Sequence, residues 1–188
     1  LTQLEKTQQD YIFITHWSYL IPEEIYKKYE CVVFHMTDLP YGRGGSPLQN
    51  LIVRGHQETK LSAIKCVKEL DAGPIYLQKK LNLNGSAEEI YLRVSKLIES
   101  MIIEILTEQP KPIEQKGEVT TFKRRIPEQG DFSDVKSLDE VFDRIRMLDA
   151  DGYPPAFIDI GQYKLEFSRA SRRAKSVIAD VKISQVEK

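Results

Sequence analysis

The chain has few of the residues that staple or anchor a protein. Of its 188 residues only two are cysteines, Cys31 and Cys66. They lie in separate apolar runs without CxxC spacing, which argues against a zinc site or a redox pair and favours a reducing compartment. No apolar run approaches the roughly 20 residues that cross a bilayer, and no signal-peptide pattern opens the chain, so a cytoplasmic protein with no membrane partner is expected. Charge of one sign is also missing. Lys and Arg total 27 against 28 Asp and Glu, a net charge of -1. No whole-chain field then draws it to nucleic acid or anionic lipid, and any charged partner must meet a local patch. Neither a GxGxxG turn nor a P-loop is present, and no histidines or carboxylates sit at metal-ligand spacing, so no metal is expected. What remains is ordinary globular material, 41% hydrophobic and 29% charged, long enough to bury a core. The first residue is Leu1 rather than Met, and the chain reads like a protein entered in the middle.

The pattern along the chain is mixed α and β. Tyr11 to Thr15 is a short apolar run, as in a strand buried on both faces. Pro22 opens a helix running to Glu30, with acidic residues in its first turn, and Cys31 to Phe34 is a second buried strand. That order predicts a right-handed crossover and a parallel pair. His35 to Gly45 is a loop, Ser46 is placed as N-cap with Pro47 at the first helical position, and Gly55 closes the helix. Lys60 to Val67 and Ile75 to Leu81 read as strands on either side of an LDAGP turn.

Ser86 with Glu89 forms a capping box ahead of Ile90, Val94, Leu97, Ile98, Met101, Ile102 and Ile105, which fall at helical spacing. A Pro-, Lys- and Glu-rich linker follows from Gln109 to Gly117, and the TTFKRR run beyond it is strand-like. A second capping box, Ser137 with Glu140, precedes a helix, and a hairpin and one further strand close the chain. The expected fold class is α/β, a Rossmann-like and mainly parallel sheet with a small, mostly β C-terminal appendage. Residues 1–117 form the core, and residues 118–188 supply linker, helix and β tail.

Ligands of open α/β sheets bind outside the carboxyl ends of the strands, and His35 stands just past one of them. Thr37, Asp38, Arg43 and three glycines follow it closely. Asp71, in LDAG, is the second candidate. A turn residue bonded to its own backbone is the bland reading, but a carboxylate beside an imidazole can do acid–base work. His56 reads as solvated, and His16 stands beside Trp17 and Tyr19, which are as suited to packing as to a ligand. Arg43 in GRGG can grip a phosphate or a carboxylate. From Ile160 to Lys188 seven Lys and Arg face three acids, a local surplus that suits a phosphate-bearing substrate or an ordinary solvated face.

Together the runs FHMTDLPYGRGGSPLQNLI and TKLSAIKCVKELDAGPI resemble the signature region of the 10-formyltetrahydrofolate-dependent formyltransferases. That family acts on methionyl-tRNA, glycinamide ribonucleotide or amino sugars. His35, Pro40, Arg43-Gly44 and Asp71-Ala72-Gly73 fall in the family's order. TFKRRIPEQG and IRMLDADGYPPAFI are similar to the start of the C-terminal region in the methionyl-tRNA and amino-sugar branches. The resemblance implies the formyltransferase fold, lacking its first strand–helix units, and formyl transfer from 10-formyltetrahydrofolate to a primary amine. The best-fitting branch is the methionyl-tRNA one, so the acceptor would be an aminoacyl-tRNA, with a nucleotide-linked amino sugar as the alternative. A third possibility is a catalytically weakened binding homologue.

By the same resemblance His35 would donate to the developing oxyanion, and Asp71 would pair with it and help take up the amine proton. The pterin would lie between Tyr19, Leu20 and Ile21 and the loop of Val67, Lys68, Glu69 and Leu70. Arg43, Gly44 and Asn50 would face the acceptor. The family's Asn two residues before the histidine is replaced here by Val33, which cannot hydrogen-bond, so Thr37, Asn50 or a backbone amide would have to substitute for it.

Overall fold

The computed structural model describes residues 10–17 and 19–186. Two compact units divide the chain. The first takes the residues up to Pro47 together with Thr59–Leu81 and Arg93–Lys123, and the second takes Leu48–Glu58, Asn82–Leu92 and the residues from Arg124 onward.

In the first unit, β1 (Tyr11–Ile14), the one-turn helix α1 (Glu23–Tyr26) and β2 (Glu30–His35) form the expected strand–helix–strand unit, and β1 runs parallel to β2 in register Tyr11 to Glu30. Pro22 stands at the N-cap of α1, which ends at Tyr26, well short of the predicted Glu30. The Tyr29 N–H still reaches back to the Ile25 carbonyl at 2.9 Å, so the remainder is turn. With β4 (Glu58–Lys65) and β5 (Ile75–Asn82) these strands make a sheet of order β1-β2-β4-β5. Among the described residues β1 is the edge strand of this sheet, and its four residues are half-exposed where burial on both faces was expected. The core strands are β2 and β4, where Cys31, Val32, Leu61, Ala63 and Ile64 are buried.

β4 is antiparallel to β2, with His35 opposite Ser62 and Val32 opposite Lys65. The end of β4 therefore lies beside the start of β2, where the Cys66 N–H donates to the Cys31 carbonyl at 2.8 Å, and not beside His35. His35 itself is the last residue of β2 rather than the first of the loop. That loop contains the two-residue strand β3 (Arg43–Gly44), which pairs in parallel with β6 (Thr121–Phe122), the strand expected in TTFKRR.

Helix α2 (Pro47–Val53) starts at the predicted proline, but Ser46 has φ +49, outside the extended backbone of an ordinary N-cap. Its end is a Schellman turn. Gly55, at φ +80, donates to Ile52 O at 2.8 Å, and His56 donates to Leu51 O at 3.2 Å. Helix α3 (Ala87–Glu108) is opened by the predicted capping box, with Ser86 N–H on Glu89 Oε2 at 2.8 Å and Glu89 N–H on Ser86 Oγ at 3.3 Å. Ile90, Val94, Ile98, Met101 and Ile105 form its buried stripe.

In the second unit, α4 (Leu138–Arg146) begins at the Ser137 cap, whose Oγ accepts from Glu140 N–H at 3.1 Å. It packs on β8 (Tyr163–Arg173) of an antiparallel sheet completed by β7 (Ala156–Ile160) and β9 (Ser176–Gln185). Arg146, 3% exposed, is neutralised by Asp143 at 2.6 Å and donates to the Leu83 and Gly85 carbonyls. Those bonds take up three of the five N–H donors of a buried guanidinium.

Candidate active site

Two left-handed turns meet at the end of β2. His35 is 7% exposed, and its Nε2 donates to the Gly42 carbonyl at 2.8 Å. A carbonyl only accepts, so that nitrogen carries a proton and the ring's other nitrogen, Nδ1, is turned toward Asp71. Asp71 Oδ2 lies 3.6 Å from Nδ1, with both side chains about nine-tenths buried, and accepts from the Gly44 backbone N–H at 2.8 Å. Asp71 sits at φ +52, a conformation that Asp tolerates better than most residues. It comes to His35 not along a neighbouring parallel strand but through the loop after β4, which folds back from the far end of β2.

The glycine-rich loop is held against residues 120–122. Gly42 and Arg43 both donate to the Thr120 carbonyl, at 2.9 and 3.0 Å, and Gly45 donates to Phe122 O at 3.1 Å. Gly44 has φ +105, and a Cβ there would run into the Phe122 carbonyl, so only glycine fits. Thr37, fully buried, turns its hydroxyl to the same Gly42 carbonyl at 3.4 Å, and its own carbonyl accepts from Ser62 Oγ at 2.7 Å. Gln78 ties Ser62 at 2.9 Å and Asp38 at 3.2 Å.

Arg43 does not point free into solvent. Its Nε and Nη2 donate to Gln115 Oε1 at 3.1 and 2.7 Å, while Gln115 Nε2 donates to the Asp71 and Gly73 carbonyls, both at 2.8 Å. Gln115 stands in the stretch that the sequence marked only as linker. Burial, followed by the Asp71 charge, pushes the Cys66 thiol above its ordinary range.

The structure thus brings His35, Asp71, Arg43 and Gly44 into one cluster. Asn50 lies on α2 in the second unit, 5% exposed, with its Oδ1 accepting from Arg54 at 2.9 Å. Val33 pairs with Ile14 on one side and Ile64 on the other. Tyr19, Leu20 and Leu70 are 78%, 79% and 59% exposed, an apolar surface on the two segments assigned to the pterin. Ile21 and Val67 are half-buried, and Lys68 and Glu69 are exposed. A separate groove of about 480 Å³ in the second unit, lined by Val53, Arg125, Gln129, Asp131, Ser133, Asp134 and Arg144, contains none of the residues singled out from the sequence. Burial and the charges of Arg144 and Arg54 hold Arg125 below the usual guanidinium range. Among the described residues no group of His, Cys, Asp and Glu could hold a metal ion, and no helix is long and apolar enough to cross a membrane.

The formyl transferase family, so described, matches residues 1–106 of this mixed α/β chain. That is more than half of the chain, and the chain belongs to this family. Residues 127–184 match the methionyl-tRNA formyltransferase C-terminal domain. Among solved structures the chain is similar to methionyl-tRNA formyltransferase from Clostridium thermocellum, with 54% identity and a TM-score of 0.91 over 94% of this chain and 78% of that one. A curated relative, methionyl-tRNA formyltransferase of Ehrlichia ruminantium (strain Gardel), is 28% identical over 192 residues, covering 98% of this chain and 61% of the relative. The chain therefore spans about three fifths of that relative's length. HypX from Aquifex aeolicus, solved in complex with tetrahydrofolic acid, shares the fold at 18% identity and a TM-score of 0.70, over 86% of this chain and 29% of that one.

Proposed function

We propose that the chain carries the catalytic site of an N-formyltransferase, moving the formyl group of 10-formyltetrahydrofolate to a primary amine. The observation that carries this reading is the buried pair of His35 Nδ1 and Asp71 Oδ2 at 3.6 Å. The folate supplies the formyl carbon, and the exposed apolar surface of Tyr19, Leu20 and Leu70 suits a flat pterin. His35 offers an N–H to the formyl oxygen as negative charge gathers there, exchanging its bond to Gly42 O for one to substrate. Asp71, fixed by Gly44 N–H, holds the ring; the bond from the amine nitrogen to the formyl carbon forms, the bond from that carbon to the folate nitrogen breaks, and the proton that the amine gives up, taken up with the help of the Asp71 carboxylate, ends on the departing folate nitrogen. Val33 supplies no hydrogen bond, so His35 carries the oxyanion contact alone or with a backbone amide. Residues 1–117 form the catalytic core in this reading, and residues 118–188 the C-terminal region, in line with the two family matches.

Methionyl-tRNA is the acceptor that the similarity to methionyl-tRNA formyltransferases favours. One observation favours the second reading, a nucleotide-linked amino sugar. Residues 127–184 hold nine Lys and Arg against eleven Asp and Glu, so that region presents no net positive field for a polyanion. Arg125 and Arg144 in the groove offer only a local grip on phosphate.

Single-turnover assays with 10-formyltetrahydrofolate and each acceptor test both levels. Formyl transfer that falls about a hundredfold or more in His35→Ala is the expected result. Donor binding without formyl loss, unchanged by that substitution, would sink the enzyme reading. Absence of tRNA binding at low salt would leave the sugar acceptor.

A further inference from the structure

We infer that Gln115 is a positioning residue for the proposed reaction, a clamp that sets the Asp71 turn and the Arg43 turn at one fixed spacing. The inference deepens the N-formyltransferase reading and rests on it.

A primary amide has two faces of opposite hydrogen-bonding character, and Gln115 uses both. Its Nε2 donates to the Asp71 and Gly73 carbonyls at 2.8 Å each, which saturates its two N–H groups. Its Oε1 receives Nε and Nη2 of Arg43, at 3.1 and 2.7 Å, a charge-assisted forked contact. The side chain is half-buried, and its backbone is anchored two residues upstream, where Ile113 and Ile75 exchange N–H···O bonds of 2.9 and 2.8 Å. It therefore approaches from a fixed base.

The turn it grips is strained. Asp71 stands at φ +52, and Gly73 packs so closely on the Lys65 carbonyl that no side chain fits. Conformations of this kind persist only where the surroundings over-determine them. The Asp71 carboxylate also has a second task, capping Gly44 N–H in the residue after Arg43. Gln115 and Asp71 thus join the same two turns, one through an amide and the other through a carboxylate. With Gln115 removed, the contact of Asp71 with Gly44 N–H would have to hold the two turns without the amide, and the carboxylate would be less firmly fixed against His35.

Two substitutions divide the clamp. Gln115→Glu keeps an acceptor for Arg43 but has no donor for the Asp71 and Gly73 carbonyls. Gln115→Lys keeps donors for those carbonyls but faces Arg43 with a like charge. Placement of Asp71 predicts that Gln115→Glu lowers kcat about 10- to 100-fold, with KM for 10-formyltetrahydrofolate within about threefold of the parent. Gln115→Lys should retain more of kcat and raise KM for the acceptor through Arg43. Combined with Asp71→Asn, Gln115→Glu should add almost nothing, because a residue acting through Asp71 has no further effect once that carboxylate is gone.

A readout without turnover separates this inference from the reading it rests on. The His35 ring 15N signals should move in Gln115→Glu and in Asp71→Asn in the same direction, whether or not any acceptor is formylated. Unmoved His35 signals, or losses in kcat that simply add in the double variant, would overturn the inference. A fall in melting temperature with kcat per folded molecule unchanged would also overturn it, since that is the mark of a merely structural staple. Failure of the parent chain to transfer formyl at all, with the His35 signals still linked to Gln115, would count against the N-formyltransferase reading and leave the clamp standing.

Discussion

Asp71 Oδ2 stands 3.6 Å from His35 Nδ1 and 2.8 Å from the Gly44 amide, so one oxygen serves both the imidazole and the backbone of the glycine-rich turn. The two contacts make different demands. The backbone needs only an acceptor, whereas the imidazole responds to a negative charge.

Replacement of Asp71 separates them. Asp71→Asn keeps an acceptor for Gly44 and tolerates the positive φ, so the melting temperature should change little while formyl transfer falls about a hundredfold. Asp71→Ala leaves the Gly44 N–H without its partner and should add a stability loss of about 1–3 kcal/mol, read by urea denaturation. Equal stability of the two variants would show that the Gly44 contact contributes nothing to folding.

A second prediction concerns acid. Burial resists ionisation of Glu30, but hydrogen bonds from Lys65, at 2.8 Å, and from the Tyr76 hydroxyl, together with the Lys65 charge, outweigh it and hold the carboxyl below the usual glutamate range. A carboxyl depressed in the folded state stabilises at pH values above its unfolded pKa, about 4.3, and loses that contribution as pH falls through the lower folded value. Melting curves of the parent and Glu30→Gln should therefore lie furthest apart near neutrality and converge in acid. A gap that is constant with pH would dismiss the ion pair as its source.

Gly73 supports a third. A Cβ there would strike the Lys65 carbonyl oxygen and come within 2.9 Å of its carbon, and both atoms belong to backbone within β4. Gly73→Ala should destabilise the fold by about 1–3 kcal/mol and displace the Asp71 turn, lowering formyl transfer further than the stability loss explains. Denaturation and activity per folded molecule measure the two parts. Wild-type values for both would mean that the turn relaxes freely.

Much of this was legible in local chemistry. The capping box at Ser86, the Ser137 cap and the Gly55 turn each depend on residues within a few positions of one another and stand where the pattern put them, although the Glu140 carboxylate accepts from Lys136 N–H rather than from Ser137 N–H. The types of His35 and Asp71 and the motifs around them mark the two as candidates, but the route by which they meet is not legible. β4 runs opposite to β2, and strand direction leaves no mark in an apolar run. Gln115 was invisible because a polar residue in a Pro- and Lys-rich stretch carries no periodicity, and its meaning depends on partners 42 to 72 positions away. Ser46 misled for a related reason, since N-cap preference reports composition and not φ.

The pairing of β3 with β6 sets an order of events. Arg43 and Gly44 lie against Thr121 and Phe122, with the whole of β4, β5 and α3 in between. A nascent chain halted at Glu108 would own His35, Asp71 and every strand of the four-stranded sheet, yet it would lack the backbone that shapes the glycine-rich turn and the glutamine that grips it. Contacts of such long sequence separation form late, because the loop must close before they reward it. The sheet is thus expected to form before the site. Slowing translation after Glu108 would accumulate a compact intermediate that protects β2 and β4 from hydrogen exchange while its reactive corner is still open.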